Sequence, residues 1–269
     1  MLRLLGDCLS RYLTKPVPGA RTQAPSDLES LAAALRPGDV LLVEGESRLS
    51  TAIKYLTQST WSHAALYVGD AYSEAGGGPR GLIEVDMREG VRRVGLDHFT
   101  DLHCRICRPV GLDDAEVARV VAYAGERLGY HYDLKNIIDL ARYLIPTPPV
   151  PVRWRRRLLS LGSGDPTRAI CSSLIAQAFQ SIRYPILPCV TVTPSKDPRY
   201  PDGEIRVLYP RHFSFFMPRD FDVSPYFAVI KPTLEATFDH RALVWGASPQ
   251  IPVLPLIDTA MGRGGASDA

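Results

Sequence analysis

A chain of 269 residues, 45% hydrophobic and 22% charged, carries enough apolar material for a sizeable core and is not disordered in overall character. Its 31 basic and 29 acidic residues leave a formal charge of +2, so there is no whole-protein field of the kind that gathers nucleic acid, and no nucleic-acid partner is expected. Five cysteines (Cys8, Cys104, Cys107, Cys171, Cys189) are an odd number thinly spread, which argues against a secreted disulfide framework and for a reducing, cytoplasmic setting.

The opening MLRLLGDCLSRYL is broken by Gly6 and Asp7 before it reaches the length of a secretory core, and Asp7 does not suit a lipoprotein cleavage site before Cys8. No run approaches the roughly 18 apolar residues of a membrane-spanning helix. Residues 1–30, with KPVPGARTQAPSD, read as an arm; 31–235 read as the compact folded domain; 236–269 read as a partly disordered tail. Ser26 or Asp27 caps a short helix through Leu35, RPGDVLLVEG gives a turn and a strand over 39–43, and 49–56 is a helix with Leu49, Ile53 and Leu56 on one face. SHAALYVG, GLIEVD, GVRRVGL and HCRICRPV follow as an antiparallel meander. Helices are predicted over 113–128 and about 134–144, the second stopped by PTPPVP. From Cys171, CSSLIAQAFQSI sets Leu174, Ile175, Ala178, Phe179 and Ile182 on one stripe, and YFAVIK is the one clear strand after it.

Three residues in this frame have chemistry to offer. Cys171 stands where a helix begins, the place at which a thiol is most readily ionised, although a cysteine one turn before Leu174 and Ile175 also fits a small buried hydrophobe. By strand alternation His63 shares a face with Ala65 and Tyr67. Glu84 lies among Leu82, Ile83 and Val85, where an unpaired carboxylate is costly and a partner is required. A hairpin with His63 opposite Glu84, its apex between Ser73 and Glu74, supplies that partner.

The order RPGDVLLVEG, helix, WSHAALYVG, LIEVD, LGYHYD, AICSSLIAQAF and SPYF resembles the circularly permuted NlpC/P60 cysteine hydrolases, in their YiiX/YebB-like branch, over about residues 36–231. The resemblance implies an α+β, permuted papain-like fold: an antiparallel sheet or partial barrel packed on helices. It implies His63 as base, Glu84 as third residue and Cys171 as nucleophile, acting on an amide or ester through an acyl-enzyme, with no metal or organic cofactor. Tyr132, beside Asp133 in the matching YD pair, is expected with Tyr67 to line the substrate site.

Other constellations carry less. Cys104 and Cys107 form CRIC, but no second ligand pair accompanies them and strand alternation turns them to opposite faces. His98 and His103 are rivals for the base without a matching motif, and GGGP over 76–79 is a turn. Arg153, Arg155, Arg156 and Arg157 beside Trp154, after an apolar helix, suggest peripheral membrane contact through residues 137–159. The substrate is accordingly a small molecule, peptide or lipid. The rival functions are a lipid-directed acyltransferase or thioesterase at a membrane surface, and a non-catalytic ligand-binding module on the same fold.

Overall fold

A computed structural model of the chain describes residues 12, 14–17, 25–75, 78–86, 89–130, 170–194 and 203–231. All of them belong to the first of two units, Met1–Ala236. The expected helix over 134–144, the arginine-rich connector and the C-terminal tail lie outside the described residues.

Helix α1 (Leu28–Ala34) starts at Asp27, whose carboxylate accepts from the Ser30 N–H. Ser26, the other capping candidate, instead exchanges bonds with the Cys104 backbone and ties the segment to the sheet. Strand β1 (Val40–Glu44) is buried along its whole length, as its unbroken apolar run requires of a central strand. Helix α2 (Arg48–Thr57) follows, capped by Ser47, with Leu49, Ile53 and Leu56 half-buried. Strands β2 (His63–Gly69), β3 (Gly81–Asp86) and β4 (Gly90–Gly95) form a meander, and β5 (His103–Pro109) comes next.

The six-stranded antiparallel sheet has the order β4-β3-β2-β1-β5-β8, where β8 is Phe227–Ile230. The meander therefore ends at β4 and does not continue into β5 as expected. Leu96 and Phe99, buried in a 3-10 turn, carry the chain back across one face of the sheet so that β5 can pair with β1. The β2–β3 register also differs from the expected one. Leu66 faces Ile83 and Tyr67 faces Leu82, with an irregularity before Gly69. Continued down the strand, that register sets Glu84 opposite Ala65 and puts His63 one diagonal away. A two-residue displacement keeps every side chain on its face, so the two residues remain neighbours.

Each face of the sheet closes its own core. Helices α3 (Asp114–Gly125) and α4 (Ile170–Ser181) cover the first, with Leu174, Ile175, Ala178 and Phe179 packed on Val40, Leu42, Ala64, Leu66 and Ile83. The α3 start is a full capping box between Asp113 and Glu116. The helix ends at Gly125, three residues short of the expected end, with Glu126 as its cap, and Gly129 at φ +80° turns the chain away. The second face is covered by α1 through Leu31, Ala34 and Leu35, against Leu41, Val43, Ala65, Leu82 and Ile106. Helix α5 (Pro218–Asp222) is joined to the sheet by Asp222, which accepts from the Trp61 indole and from Arg105.

A hairpin of β6 (Cys189–Pro194) and β7 (Glu204–Tyr209) was not foreseen from the sequence. Most of its residues are exposed, although Val190 and Val192 alternate with Thr191 and Thr193, and Ile205 and Val207 with Glu204 and Arg206, so a short period-two signal is present in both strands.

The buried residue Asp39 of the GDV motif is structural. Arg108 holds it bidentately at 2.9 and 2.7 Å, and the Arg36 N–H adds a third bond, locking the turn before β1. Arg93 plays the matching part at the β2–β3 loop, donating to the carbonyls of Gly69, Ala71 and Gly78. In that loop Tyr72, at φ +59°, rests against Gly125 of α3 so closely that a methyl group on Gly125 would run into its ring. Alanine at a helical position ordinarily gains roughly 0.8–1 kcal/mol over glycine, whereas overpacking costs about 1–3 kcal/mol. Gly125→Ala is expected to lower stability by about 1 kcal/mol or more, read as a fall in the urea midpoint. A raised midpoint would mean that Tyr72 swings aside freely.

Candidate active site

Three elements that are distant in sequence meet at the site. His63 is the first residue of β2, Glu84 lies inside β3, and Cys171 is the second residue of α4. Leu174, Ile175, Ala178 and Phe179 anchor α4 in the first core, and that packing fixes where its N-terminal turn, and thus the thiol, must lie. Cys171 is itself buried among these residues, as the small-hydrophobe description expects.

His63 hydrogen-bonds the Cys171 thiol on one side and Glu84 on the other. The Nε2 to Oε2 distance is 2.6 Å, which leaves Nδ1 for the sulfur. About a quarter of the His63 side chain is open to solvent, while Glu84 is nearly enclosed at 3%. Burial would raise the Glu84 carboxyl, yet the bonds from His63 and Arg92 outweigh it and hold the group at about 2. It is therefore a carboxylate throughout the neutral range. Burial likewise opposes charge on His63, but the thiolate and the carboxylate overcome it and hold the imidazolium well above the ordinary histidine range.

Cys171 moves the other way. Burial disfavours its thiolate; the His63 charge and hydrogen bond, with the N–H groups of Ala64 and Ser172, lower it below an ordinary thiol. Other buried cysteines show what burial does without such partners. Cys104 is pushed up to about 12 and Cys107 is raised as well. These two belong to opposite cores, so their CRIC spacing brings no pair of thiols together. Cys189 is exposed on β6. Among the described cysteines, only Cys171 joins a lowered thiol to an adjacent imidazole.

The remaining candidates separate clearly. Tyr67 is not brought to the site: it lies four residues beyond His63 on the same face, buried in the second core with residues of β1 and α1. Tyr132 lies outside the described residues. His103 stacks on Trp61 at 5.2 Å. His98 comes within 3.5 Å of Glu84 Oε1 but stays nearly half exposed. No cluster able to hold a metal ion occurs among the described residues, nor any helix long and apolar enough to cross a membrane.

One participant was missed in the sequence. Arg92 sits directly across from Glu84 on β4 and donates to Oε1 from Nε at 2.9 Å and from Nη2 at 2.7 Å. The demand that Glu84 find a partner was a usable signal, but His63 was taken to satisfy it alone. Either arginine of GVRRVG was available, and only the β3–β4 register selects between them.

Comparison with known proteins places these residues in a family context. Among curated proteins no match is found. A solved structure described as the metalloprotein yiiX from Escherichia coli O157:H7, DUF1105, is similar over 73% of this chain and 96% of its own, at 15% identity and a TM-score of 0.42. Residues 34–143 match a family described as permuted papain-like amidase enzymes, YaeF/YiiX, C92. The matched span holds His63, Glu84 and Arg92 and ends before Cys171. Over that span the chain bears the family pattern of the permuted papain-like amidases of the YaeF/YiiX branch.

Proposed function

We propose that the chain is a cysteine hydrolase of amidase type, with Cys171 as nucleophile, His63 as base and acid, and Glu84 as the residue that orients and charges the imidazole. The observation that carries this reading is the continuous hydrogen-bonded line from the α4 thiol through His63 to a buried carboxylate. In the resting state the thiol proton resides on His63. The thiolate attacks the carbonyl carbon of an amide or ester, and backbone N–H groups at the α4 start receive the developing oxyanion. His63 returns its proton to the departing amine or alcohol as the carbon–heteroatom bond breaks, leaving an acyl-enzyme. Water, deprotonated by the now neutral His63, then releases the acid and restores the thiolate–imidazolium pair.

The match to amidases favours hydrolysis of an amide over transfer to a second acceptor. A non-catalytic module is the poorer account, because a binding site gains nothing from a desolvated ion pair that favours a nucleophilic thiolate. The test is an electrophilic acyl-thiol probe on the full chain, followed by a panel of peptide, ester and thioester substrates. Labelling at Cys171 with turnover of an amide supports the proposal. Labelling without turnover of any acyl class favours the binding module.

Cys171→Ala is expected to remove turnover by roughly 10⁴-fold or more while shifting the melting temperature little, since only a small sulfur is lost. Near wild-type turnover in the purified variant rejects the nucleophile. Glu84→Gln retains a hydrogen-bonding shape but not the charge. Catalytic efficiency should fall by roughly 10 to 10⁴-fold. The sign of the accompanying pH effect is fixed by His63: an imidazolium without its carboxylate loses its proton earlier, so the alkaline limb of the activity profile should move to lower pH. A folded variant whose alkaline limb stays in place would leave Cys171 and His63 as a dyad.

A further inference from the structure

The neighbouring arginines of GVRRVG point to opposite faces of β4 and are used differently. Arg93 holds the β2–β3 loop by its carbonyls, while Arg92 is directed at Glu84, which is a quarter-turn of chemistry away from the thiol: carboxylate to imidazole to sulfur. The two Glu84 oxygens are divided. Oε1 accepts both Arg92 bonds and Oε2 accepts from His63. Arg92 is itself held from outside by Glu89 at 3.0 Å and, more loosely, by Asp86 at 3.7 Å.

We propose that Arg92 is a positioning residue of the proposed hydrolase site: it pins Glu84 in the rotamer that reaches His63, and its charge partly offsets that carboxylate and so sets the alkaline limit of the thiolate–imidazolium pair. A bidentate fork fixes the carboxylate plane in a way a single donor cannot. Enclosed as it is, Glu84 without Arg92 would have one charged partner in place of two, and its full negative charge would fall on His63. The charged and titratable groups facing Arg92 among the described residues are Glu84 and Asp86 of β3, Glu89 of the following turn, and His98 of the 3-10 turn, with His63 and Cys171 one and two contacts beyond. Asp86 and Glu89 are more open to solvent than Glu84 and are screened accordingly, so the Glu84 charge is the one Arg92 chiefly offsets.

The inference rests on the proposed Cys171–His63–Glu84 chemistry but has a test that needs no substrate. His63 is titrated by NMR in the full chain, in the wild type and in Arg92→Gln and Glu84→Gln, with Cys171 alkylation by iodoacetamide followed in parallel. A residue that merely braces the sheet would leave the His63 midpoint alone or move it in the direction of Glu84→Gln. Arg92→Gln is expected to raise that midpoint by about half a unit to one unit, opposite in sign to Glu84→Gln. It should also slow alkylation several-fold at neutral pH, because Glu84, still bonded to His63, no longer has its carboxylate plane fixed and aims the imidazole at the sulfur less closely. Arg92→Lys keeps the charge and loses the fork, so its midpoint should return to within a few tenths of a unit of the wild type while alkylation stays slow. A folded Arg92→Gln with an unchanged or lowered midpoint overturns the proposal. Where Arg92→Gln does not fold, an Arg92→Lys midpoint displaced toward that of Glu84→Gln overturns it instead. An unreactive Cys171 in the wild type would reject the hydrolase reading, yet the His63 titration would still report on Arg92, so the two failures are distinguishable.

Discussion

A carboxylate buried inside an apolar strand is the constraint around which this molecule is arranged. Glu84 has Leu82, Ile83 and Val85 as strand neighbours, and such an anion is tolerable only with charged donors on its oxygens. The sheet supplies two, one from each side of β3. Arg92 comes from β4 by direct cross-strand pairing, and His63 from β2 by a diagonal. The central strand of the β2–β3–β4 meander thus gains a satisfied charge, and the imidazole gains a fixed orientation from the same bonds. Stability and chemistry draw on one set of contacts here, which is why removing either partner leaves the buried carboxylate with less of its charge compensated.

Much of this was legible in the sequence, for reasons that differ from residue to residue. Glu84 announced itself by incongruity, a charge in an otherwise apolar strand. Cys171 announced itself by its place at the start of an amphipathic helix, and His63 by lying on the strand before Glu84. Strand alternation assigned faces correctly, so the opposite orientations of Cys104 and Cys107 and the shared face of His63 and Glu84 follow from a period of two alone. Alternation does not determine register. The β2–β3 pairing lies two residues from the expected register, a change invisible to any pattern of period two.

What the sequence concealed was mostly long-range. Pairing of β5 with β1 in place of β4 depends on Leu96 and Phe99 burying themselves in the second core, a choice set by tertiary packing. Tyr67 illustrates the same limit within a single strand. Its face was correctly assigned, but the face changes character along β2: open to solvent beside His63, closed by α1 four residues later. A shared face is thus a weaker statement than a shared site. The β6–β7 hairpin carries only a short period-two signal with little burial behind it, and Arg92 could not be told from Arg93 before the β3–β4 register was known.

The chain order has a consequence for how the site can vary. His63, Glu84 and Arg92 lie within 30 residues of one another on neighbouring strands, so the imidazole and its supports form one local assembly. The Cys171 thiol arrives from far along the chain, and the packing of α4 aligns it with that assembly. Small displacements of α4 would spoil the thiol–imidazole geometry before they disturbed the His63–Glu84–Arg92 bonds, because those bonds lie within the sheet and do not pass through the helix. The buried face of α4 is consequently under a tighter restraint than core filling alone would impose: Leu174, Ile175 and Phe179 must place the sulfur as well as exclude water. Ser172 adds to this restraint from the helix itself, donating its hydroxyl to the Phe216 carbonyl at 2.7 Å while its backbone N–H is directed at the Cys171 sulfur. A side chain adjacent to Cys171 thereby helps to fix the rotation of the helix about its axis.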